Sequence, residues 1–567
     1  MKVTDYIVEF LISKGVTDVF GYPGGVITHF MDSITKYDSI TAHCAYHEQG
    51  AAFEACGYAQ ASGKLGVAYA TSGPGATNLV TGIANAYYDS TPVLFLTGQV
   101  DTYSLKGDLP IRQRGFQETD VVSIVSSISK YATRVDKPED IVKCLEEAYY
   151  WAFEGNKGPV VLDLPADVQR ADIDIQSAPH FECPVVKNNI NVDDTASMII
   201  EAIKAAKHPC ILVGNTIKSC GLVEDLKRFI AKVNIPVVFS LPAFDTLPTE
   251  HPNNFGFIGA NGLRYAGFIA GKCDLLVTLG ARLDIRQVSL HRDAFCHQAK
   301  IIRVDCDNNE LSYKLHEDEV QIKADLRTLL PAMVETAKGS IEKADWISVC
   351  NTIKIKLNGY DDAEPNTIIK EFSKTIPDDL SVTIDVGQHE LWVAQSSMLK
   401  DGQQYFMSAG HGSMGYSLPA AIGVYYATKK PVVAYMGDGG LMMNLQEMQF
   451  IARENLPVTI VCVDNNALGM IRGFQDANFN KNFFQTTKNS GFTTPDFAKL
   501  AEAFSFGFKR LSNAEDIKSF TPDNAPTFVD LILPEETYLV PAFGKDGLIQ
   551  DARPYIDRAS YNEIMSL

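Results

Sequence analysis

Short runs of consecutive apolar residues, separated by longer amphipathic stretches, recur along the whole chain. The runs are apolar at every position instead of at alternate positions, which indicates strands buried on both faces of a parallel sheet. Such strands alternating with helical stretches indicate an α/β fold. The clearest runs are Gly66–Ala70, Val93–Thr97, Pro159–Leu164, Cys210–Gly214, Pro236–Phe239, Leu275–Leu279, Ile301–Asp305, Val382–Asp385, Val432–Tyr435 and Val458–Val463.

The runs fall into three successive blocks. The first block ends where Ile175–Val192 becomes rich in Pro, Asn and Asp, which is typical of a linker. A polar helical region, Ser340–Asp362, precedes the third block. A chain of 567 residues also has the length of about three domains of roughly 100–200 residues each. We therefore predict three doubly wound parallel-sheet domains, at residues 1–175, 193–340 and 363–545.

Charge and cysteine usage exclude several classes of protein. The formal net charge of −19 argues against nucleic acid or an anionic membrane surface as a partner, because both attract basic surfaces. The 11 cysteines form no C-x-x-C pair and no Cys/His cluster, so we expect reduced thiols instead of disulfides or a zinc site. The N-terminus lacks a signal-peptide pattern, and no run of ~18 apolar residues occurs. The expected location is the cytoplasm.

Two successive runs of the third block end in polar motifs. Pro431–Tyr435 precedes Gly437-Asp438-Gly439-Gly440, and Val458–Val463 precedes Asp464-Asn465-Asn466. Glycines allow backbone N–H groups to approach a diphosphate, and open α/β sheets bind ligands at the carboxyl ends of strands. Asp438 and Asn465 offer the hard oxygen ligands that Mg²⁺ prefers. The structural alternative is that the two motifs are unrelated turns, one tight and one rich in Asn. Their placement at the ends of two successive strands favours a metal site instead.

This pairing resembles the magnesium–diphosphate motif of thiamine-diphosphate enzymes. Further motifs narrow the resemblance to the catalytic subunits of the acetolactate synthase (acetohydroxyacid synthase) family. They extend from about residue 3 to about residue 545, in the order typical of that family. The matching segments are Phe20–Gly25, Tyr46–Ala51, Ala70–Asn78, Gly115–Glu118, Gly280–Arg282, Val386–His389 and Gly412–Tyr416.

The resemblance implies decarboxylation of a 2-oxo acid, pyruvate, and ligation of the remaining fragment to a second carbonyl. It implies thiamine diphosphate and Mg²⁺ as cofactors. Glu48 would hold a proton on the pyrimidine ring of the cofactor, and its apolar surroundings suit that task. Met414 would lie under the cofactor and force its two rings into a folded V. Gln117 is the third residue that the resemblance places in catalysis.

The resemblance also implies binding roles, each with a structural alternative. A single glutamate is more often a surface residue, and a single methionine is more often part of the hydrophobic core. A single histidine more often has a structural role, and an arginine more often belongs to a surface ion pair. The implied metal ligands are Asp438, Asn465 and Ala467, and the implied substrate contacts are Phe116, Gln117, Arg286 and Phe474. The implied cofactor contacts are Pro23, Gly24, Gly25, Glu48, Gly75, Asn78, Gln388, His389, Gly412, Met414, Gly437, Asp438, Gly439, Gly440, Asn465, Gly469 and Met470.

Three positions depart from the family pattern and affect the choice of acceptor. Ile285 stands where the family usually has a second acid, and His411 replaces a small or aliphatic residue. Phe474 stands where biosynthetic members carry a tryptophan that favours 2-oxobutyrate. The resemblance implies a role in branched-chain amino acid biosynthesis. These changes weaken the case for isoleucine biosynthesis in particular. Arg286 falls where the family has an arginine that faces the acceptor carboxylate, which a guanidinium fork suits.

The resemblance leaves the remaining ligands and partners open. Glycine-containing strand ends in the middle block are compatible with FAD, with ADP or with no nucleotide, because such loops are weak signals. We expect a homodimer with shared active sites, or a homotetramer. Whether a regulatory subunit binds stays open.

Three alternatives to this function stay open. A related carboligase or decarboxylase could use another acceptor, in sugar or secondary metabolism. An NAD-dependent dehydrogenase would need a complete G-x-G-x-x-G set, which the sequence lacks. The third alternative is a non-catalytic nucleotide-binding subunit. Such a subunit would not need Glu48, Asp438 and Asn465, so the presence of all three argues against it.

Overall fold

The structure, a computed structural model, describes residues 1–184, 190–339, 341, 343–522 and 524–567. Across these described residues the strands form three parallel sheets of six strands each. The prediction of three doubly wound parallel-sheet α/β domains is therefore confirmed. The predicted linker Ile175–Val192 and the predicted domain limit at residue 340 lie partly outside the described residues.

The first sheet has the order β2-β1-β3-β4-β6-β5. Its strands are β1 (Asp18–Gly21), β2 (Thr41–Cys44), β3 (Gly66–Ala70), β4 (Val93–Gln99), β5 (Tyr131–Arg134) and β6 (Val160–Pro165). The strands β3, β4 and β6 are buried along their whole length, as continuous apolar runs predict. The helices of this domain are α1 (Val3–Ser13), α2 (Thr28–Ile34), α3 (Glu48–Ser62), α4 (Pro74–Asn78), α5 (Val80–Tyr88), α6 (Val121–Val125), α7 (Ile141–Phe153) and α8 (Ala166–Arg170).

The central sheet has a different strand order, β12-β11-β10-β7-β8-β9. Its strands are β7 (Pro209–Val213), β8 (Val237–Phe239), β9 (Asn254–Phe257), β10 (Leu275–Leu279), β11 (Lys300–Asp305) and β12 (Val320–Lys323). Counted within the domain this is the order 3-2-1-4-5-6 of dinucleotide-binding sheets, which reverses between β7 and β10. The helices are α9 (Val192–Ala205), α10 (Thr216–Ser219), α11 (Val223–Val233), α12 (Arg264–Lys272), α13 (Ile285–Val288), α14 (Asn308–Ser312), α15 (Leu326–Thr336) and α16 (Ala344–Leu357).

The third sheet, β14-β13-β15-β16-β18-β17, repeats the strand order of the first. Its strands are β13 (Ser381–Ile384), β14 (Tyr405–Met407), β15 (Val432–Gly437), β16 (Val458–Asp464), β17 (Gly507–Leu511) and β18 (Thr527–Ile532). The strand order reverses between β13 and β15, and ligands bind at such points in open α/β sheets. The helices are α17 (Glu364–Thr375), α18 (Gln388–Ser396), α19 (Ser417–Thr428), α20 (Asp438–Leu441), α21 (Glu447–Glu454), α22 (Gly469–Asn478), α23 (Phe497–Ala503) and α24 (Ala514–Lys518). The last helix, α25 (Arg558–Ser566), packs on the central domain, where Tyr561 contacts Phe268 of α12.

Helices α3 and α19 join the first and third domains through direct backbone contact. A Cβ atom on Gly57 of α3 would overlap the carbonyl oxygen of Ala420, and one on Gly423 of α19 would overlap that of Glu54. Glycine is therefore required where the two helices cross. A single apolar cluster continues across this crossing, so the two domains share a core. The crossing fixes the orientation of the two domains that carry the expected cofactor residues.

No helix in the described part of the chain is both long enough and apolar enough to cross a membrane.

Candidate active site

The first domain places its candidate residues at the carboxyl ends of β1 and β3. The segment Pro23–Gly25 follows β1, and a Cβ on Gly24 would overlap the side chain of Thr71, which follows β3. Gly25 has open space where a Cβ would lie. The two loops therefore lie side by side at the point where the strand order reverses.

Glu48 is the first residue of α3 and lies beside α4. The His47 side chain caps the helix by accepting a 3.1 Å hydrogen bond from the backbone N–H of Gln49. The Glu48 side chain is buried, and its Oε2 accepts a 2.9 Å hydrogen bond from Nδ2 of Asn78. A Cβ on Gly75 would lie 3.2 Å from Oε1 of Glu48. The structure thus brings Glu48, Gly75 and Asn78 into one cluster.

The segment with Phe116 and Gln117 is held by a single carboxylate. Glu118 accepts hydrogen bonds from the backbone N–H groups of Lys106, Arg114 and Gly115, at 2.7, 2.9 and 3.2 Å. Burial opposes ionisation of Glu118, but these three hydrogen bonds outweigh it and lower the pKa of the group. Gln117 packs against Gly73, two residues before Gly75, whereas the Phe116 side chain is 84% exposed.

Asp438 lies at the carboxyl end of β15 and contacts the turn that follows β16. Its Oδ1 accepts a 2.8 Å hydrogen bond from the N–H of Gly439, and its Oδ2 accepts one of 3.1 Å from the N–H of Ala467. Asp438 is 2% exposed, and burial together with the Asp464 carboxylate raises its pKa to about 8. The structure therefore joins Asp438 and Ala467 across the two neighbouring strand ends.

Asn465 and Gln388 share one partner, Thr537. Nδ2 of Asn465 donates to Oγ1 of Thr537 at 3.0 Å, and that hydroxyl donates to Oε1 of Gln388 at 2.8 Å. A Cβ on Gly469 would overlap this same Gln388 oxygen, so a side chain there would displace it. His389 is buried beside Gly437; its Nε2 has no hydrogen-bond partner in the described residues, and burial lowers its pKa to about 4.

Met414 lies in a loop that Asp385 holds in place. The two carboxylate oxygens of Asp385 accept 2.9 Å hydrogen bonds from the N–H groups of Gly415 and Tyr416. Gly412 has a φ of +67°, a conformation that favours glycine. The Met414 methyl group would lie 3.6 Å from a Cβ on Gly439, and the side chain is partly exposed. Met414 therefore lies over the Gly437–Gly440 segment.

The remaining candidate residues lie at the margin of this group. Met470 and Phe474 are on α22, and both side chains are largely exposed. Arg286 is on α13 of the central domain, with Nη2 3.8 Å from Oε2 of Glu390 on α18. Asn444 links the first and third domains of the chain: its Nδ2 donates to Oε1 of Gln49 at 3.2 Å and to the carbonyl of Gly415 at 2.9 Å.

A cavity of about 1020 Å³ lies between the three domains. It opens at the carboxyl ends of β7 and β10, where the hydroxyl of Thr216 donates to the carbonyl of Gly280 at 3.1 Å. Arg286 from the central domain and Gly410 from the third domain also line it. The cavity therefore borders the start of the loop that carries Gly412 and Met414.

Comparison with known proteins agrees with this arrangement. The N-terminal, central and C-terminal domain families of thiamine pyrophosphate enzymes match residues 1–124, 196–333 and 385–530. The acetolactate synthase large subunit of Lactococcus lactis is 34% identical, over 94% of this chain and 93% of the relative. The acetolactate synthase isozyme 2 large subunit of Escherichia coli is 35% identical, over 92% of each chain. The probable acetolactate synthase large subunit of Methanocaldococcus jannaschii is 34% identical, over 100% of this chain and 98% of the relative.

The chain belongs to the acetolactate synthase large-subunit family of thiamine pyrophosphate enzymes.

Sequence reasoning missed several residues that support the site in this family member. Asp385 was identified only as a strand end, and Thr537 and Asn444 were not identified at all. Asn85 was also missed; its Oδ1 accepts hydrogen bonds from the hydroxyls of Ser408 and Ser413, at 2.6 and 3.0 Å. The polar end of the Val382–Asp385 run was the one available signal, because strand ends carry ligand-binding residues in such sheets.

The residues of the third domain fit a magnesium–diphosphate group. Asp438, Asn465 and Ala467 offer a carboxylate, an amide and a backbone carbonyl, which are the oxygen donors that Mg²⁺ takes alongside phosphate. His389 carries a buried ring nitrogen without a partner in the described residues, which an anion close by would satisfy. Gly437 and Gly469 leave the approach to these groups free of side chains.

Proposed function

We propose that this chain decarboxylates pyruvate and joins the remaining two-carbon fragment to a second carbonyl, with thiamine diphosphate and Mg²⁺ as cofactors. The observation that carries the proposal is the link between Asp438 and the N–H of Ala467, which assembles the metal-binding set from two strand ends. The printed name of the L. lactis relative, acetolactate synthase, points to the same reaction. When bound, thiamine diphosphate supplies the electron sink for decarboxylation.

The residues of the chain have separate tasks in this proposal. Asp438, Asn465 and Ala467 hold the metal, and Gln388 and His389 lie beside the diphosphate. Glu48 holds a proton on the pyrimidine ring nitrogen, and Asn78 fixes the orientation of its carboxylate. Met414 supports the cofactor from below, and Gly412 gives the loop the conformation that this requires.

The substrate end is formed by residues from all three domains. Phe116 and Gln117 border the site from the first domain, Arg286 from the central domain and Phe474 from the third. Apolar side chains here keep water away from the reacting carbon. That carbon can then add to the second carbonyl instead of being protonated by water.

We also propose that the central cavity binds an adenine nucleotide, FAD in the first instance. The cavity lies where the 3-2-1-4-5-6 strand order reverses, and its volume suits a large cofactor. Lys157 lines it, with Nζ donating to the carbonyl of Ser219 at 2.6 Å, and offers an ammonium group that suits a phosphate. Absorbance of the purified protein near 450 nm, and the ligand released on denaturation, would distinguish FAD from ADP.

The proposed assembly is at least a homodimer with shared active sites. Large apolar side chains around both halves of the site are exposed in the single chain, among them Phe116, Phe474, Ile471 and Met443. Clusters of exposed apolar residues of this kind mark interaction surfaces. A second copy would cover them in an isologous interface, and a regulatory subunit would bind elsewhere. A cytoplasmic location remains part of this proposal.

The deciding experiment supplies the purified protein with pyruvate, thiamine diphosphate and Mg²⁺. Release of carbon dioxide with formation of acetolactate, and loss of both when the metal is chelated, is the expected result. Repeating the reaction with added aldehydes or 2-oxo acids identifies the preferred acceptor. Absence of carbon dioxide release under all of these conditions would overturn the proposal.

A further inference from the structure

A carboxylate of the third domain binds the backbone at the start of α3. Glu447 is the first residue of α21, and its side chain is fully buried. The backbone N–H of Tyr46 donates to both of its oxygens, at 3.0 and 3.1 Å. Tyr46 lies two residues before Glu48, in the loop between β2 and α3. Glu447 therefore fixes the backbone from which the Glu48 side chain extends.

The contact between Glu447 and α3 leaves no space for a side chain at position 50. Gly50 lies in the first turn of α3, two residues after Glu48. A Cβ on Gly50 would lie 2.5 Å from Oε1 of Glu447 and 2.9 Å from its Cδ, which is closer than real Cβ contacts allow. The Glu447 carboxylate thus lies against the chain both before and after Glu48.

A second buried carboxyl group, that of Glu54, interacts with Glu447. Glu54 is in α3, is fully buried, and has no hydrogen-bond donor to either oxygen in the described residues. Burial raises the pKa of Glu54 well above its ordinary value, and the Glu447 carboxylate raises it further. Burial also raises the pKa of Glu447, to about 7, but the backbone N–H groups of Tyr46 and His47 oppose this rise. Two such neighbours cannot both ionise, so the proton belongs on Glu54 and the charge on Glu447.

The surroundings of the pair support this distribution. A protonated Glu54 donates to Glu447 and favours the charged form of Glu447, as does the Arg453 guanidinium of α21. Arg453 also donates a 3.0 Å hydrogen bond to the carbonyl of Cys44. The other titratable groups near the pair have pKa values raised by burial and are therefore uncharged near pH 7; they are Cys44 of β2, Tyr69 of β3 and Tyr426 of α19.

We propose that Glu447 is a positioning residue for Glu48: its ionised carboxylate holds the backbone at the start of the helix, and protonated Glu54 supports it in that state. This inference rests on the proposed function, because it concerns the residue that holds the pyrimidine proton. A group that handles a proton is efficient only when its own support is rigid. In this role neither Glu447 nor Glu54 needs to touch the cofactor.

The first test uses the protein without cofactor. Backbone hydrogen exchange at Tyr46 should be about tenfold or more faster in Glu447→Gln than in the unmodified protein at about pH 8, because a neutral amide is a weaker acceptor than a carboxylate. Infrared spectra at the same pH should show a protonated carboxyl group that Glu54→Gln lacks. Glu502→Gln, at an exposed position of the third domain, is the control and should match the unmodified protein in both measurements.

The second test adds thiamine diphosphate and Mg²⁺. At about pH 8, Glu447→Gln should slow proton exchange at the thiazolium carbon about tenfold and change the affinity for thiamine diphosphate less than about twofold. Because the rate rises as Glu447 ionises, its pH profile should have an inflection near pH 7 that Glu447→Gln removes. Glu54→Leu removes a donor to Glu447 and should move the inflection to higher pH. Glu54→Gln keeps a donor and should restore the inflection to its original place.

A steric variant tests the same contact without changing any charge. Gly50→Ala should displace the Glu447 carboxylate, so it should raise backbone exchange at Tyr46 and slow thiazolium exchange, each about tenfold. In a Glu447→Ala background the same substitution should have no further effect, because the space is then free. Gly50→Ala alone keeps the role of Glu447 testable if the Glu447 variants fail to fold.

The outcomes separate this inference from the proposed function. Carbon dioxide release from pyruvate is recorded for the unmodified protein. If none occurs, the proposed function fails and the positioning role fails with it. If carbon dioxide is released but Glu447→Gln leaves either exchange rate unchanged, only the role of Glu447 is overturned. An inflection near pH 7 that persists in Glu447→Gln would also overturn it.

Discussion

Nδ2 of Asn78 donates a 2.9 Å hydrogen bond to Oε2 of Glu48. The two residues belong to α4 and α3, which follow different strands of the first sheet. The bond fixes the carboxylate of Glu48 in one orientation, with Oε1 beside the small residue Gly75. A ring nitrogen could approach Oε1 there, whereas a larger side chain at position 75 would block it.

Replacement of Glu48 should separate catalysis from cofactor binding. Glu48→Gln keeps the hydrogen bond from Asn78 but cannot take the pyrimidine proton, so proton exchange at the thiazolium carbon should slow by about 10²–10⁴-fold. Hydrogen–deuterium exchange of bound thiamine diphosphate measures this rate, and calorimetry should show little change in affinity. Glu139→Gln, at an exposed position of the same domain, is the control. Exchange at the unmodified rate would remove Glu48 from the mechanism.

Replacement of Asp438 should affect binding before it affects chemistry. Asp438→Ala removes the one carboxylate of the proposed metal set and releases the N–H of Ala467. Titration calorimetry should then show that Mg²⁺ no longer strengthens thiamine diphosphate binding. Asp379→Ala, at an exposed position of the same domain, should bind as the unmodified protein does. An unchanged magnesium dependence would place the metal at other residues.

The central strands could be predicted from the sequence, but several edge strands could not. β3, β4 and β16 are buried almost throughout, so their runs are continuously apolar. β2, β5, β12 and β17 lie at or near sheet edges and are partly exposed, so they lack that pattern. Their strand structure comes from pairing with a neighbour, as Tyr131–Arg134 pairs with β6.

The same distinction applies to the candidate site. Asp438 and Asn465 could be found because each stands in a short motif directly after an apolar run. Asn85 and Thr537 could not, because each acts on residues far away in the chain: Asn85 on Ser413, and Thr537 on Gln388. Their sequence surroundings carry no signal of those contacts. Only the packing of the first domain against the third brings Asn85 to the Met414 loop.

Phe474 should influence which acceptor is used. The side chain is 59% exposed on α22 and packs only loosely, with its ring centre 5.9 Å from that of Phe479. In the proposed site, Phe474→Trp adds apolar area beside the chain of a longer acceptor, so the product ratio should shift toward 2-oxobutyrate over pyruvate, by up to about tenfold. Competition between the two acceptors measures the shift, and Phe484→Trp on the same surface is the control. An unaltered ratio would show that Phe474 lies away from the acceptor.

Asp163 should make stability depend on pH. It is buried in β6, where Oδ1 accepts from the Thr97 hydroxyl at 2.7 Å and Oδ2 from Nε2 of Gln99 at 3.0 Å. The same Gln99 nitrogen donates to the carbonyl of Thr119 at 2.7 Å. Burial raises the pKa of Asp163 to about 7, from an ordinary value of 3.8, although both hydrogen bonds oppose the rise.

Because the folded-state pKa is the higher one, ionisation favours the unfolded chain. The contribution of Asp163 to stability is complete below about pH 4 and is lost as the pH rises toward 7. Asp163→Asn removes this titration, so the fall in unfolding free energy between pH 5 and pH 7 should be smaller in the variant, by about 2–3 kcal/mol. Urea unfolding at both pH values measures it. Equal falls in the two proteins would mean that Asp163 is ionised in the folded state.

The shared-site arrangement predicts recovery of activity when two inactive chains are mixed. Glu48 belongs to the first domain and Asp438 to the third, and a long cofactor needs one group at each end. If each site takes its first domain from one copy and its third domain from the other, a dimer of a Glu48→Gln chain and an Asp438→Ala chain has one doubly damaged site and one intact site.

With equal amounts of the two chains and complete exchange, half of the dimers are mixed, so about one quarter of the activity should return. Each variant mixed with itself is the control and should stay inactive. If each chain instead builds its own site, every site keeps one damaged residue, and mixtures with proven subunit exchange would show no recovery.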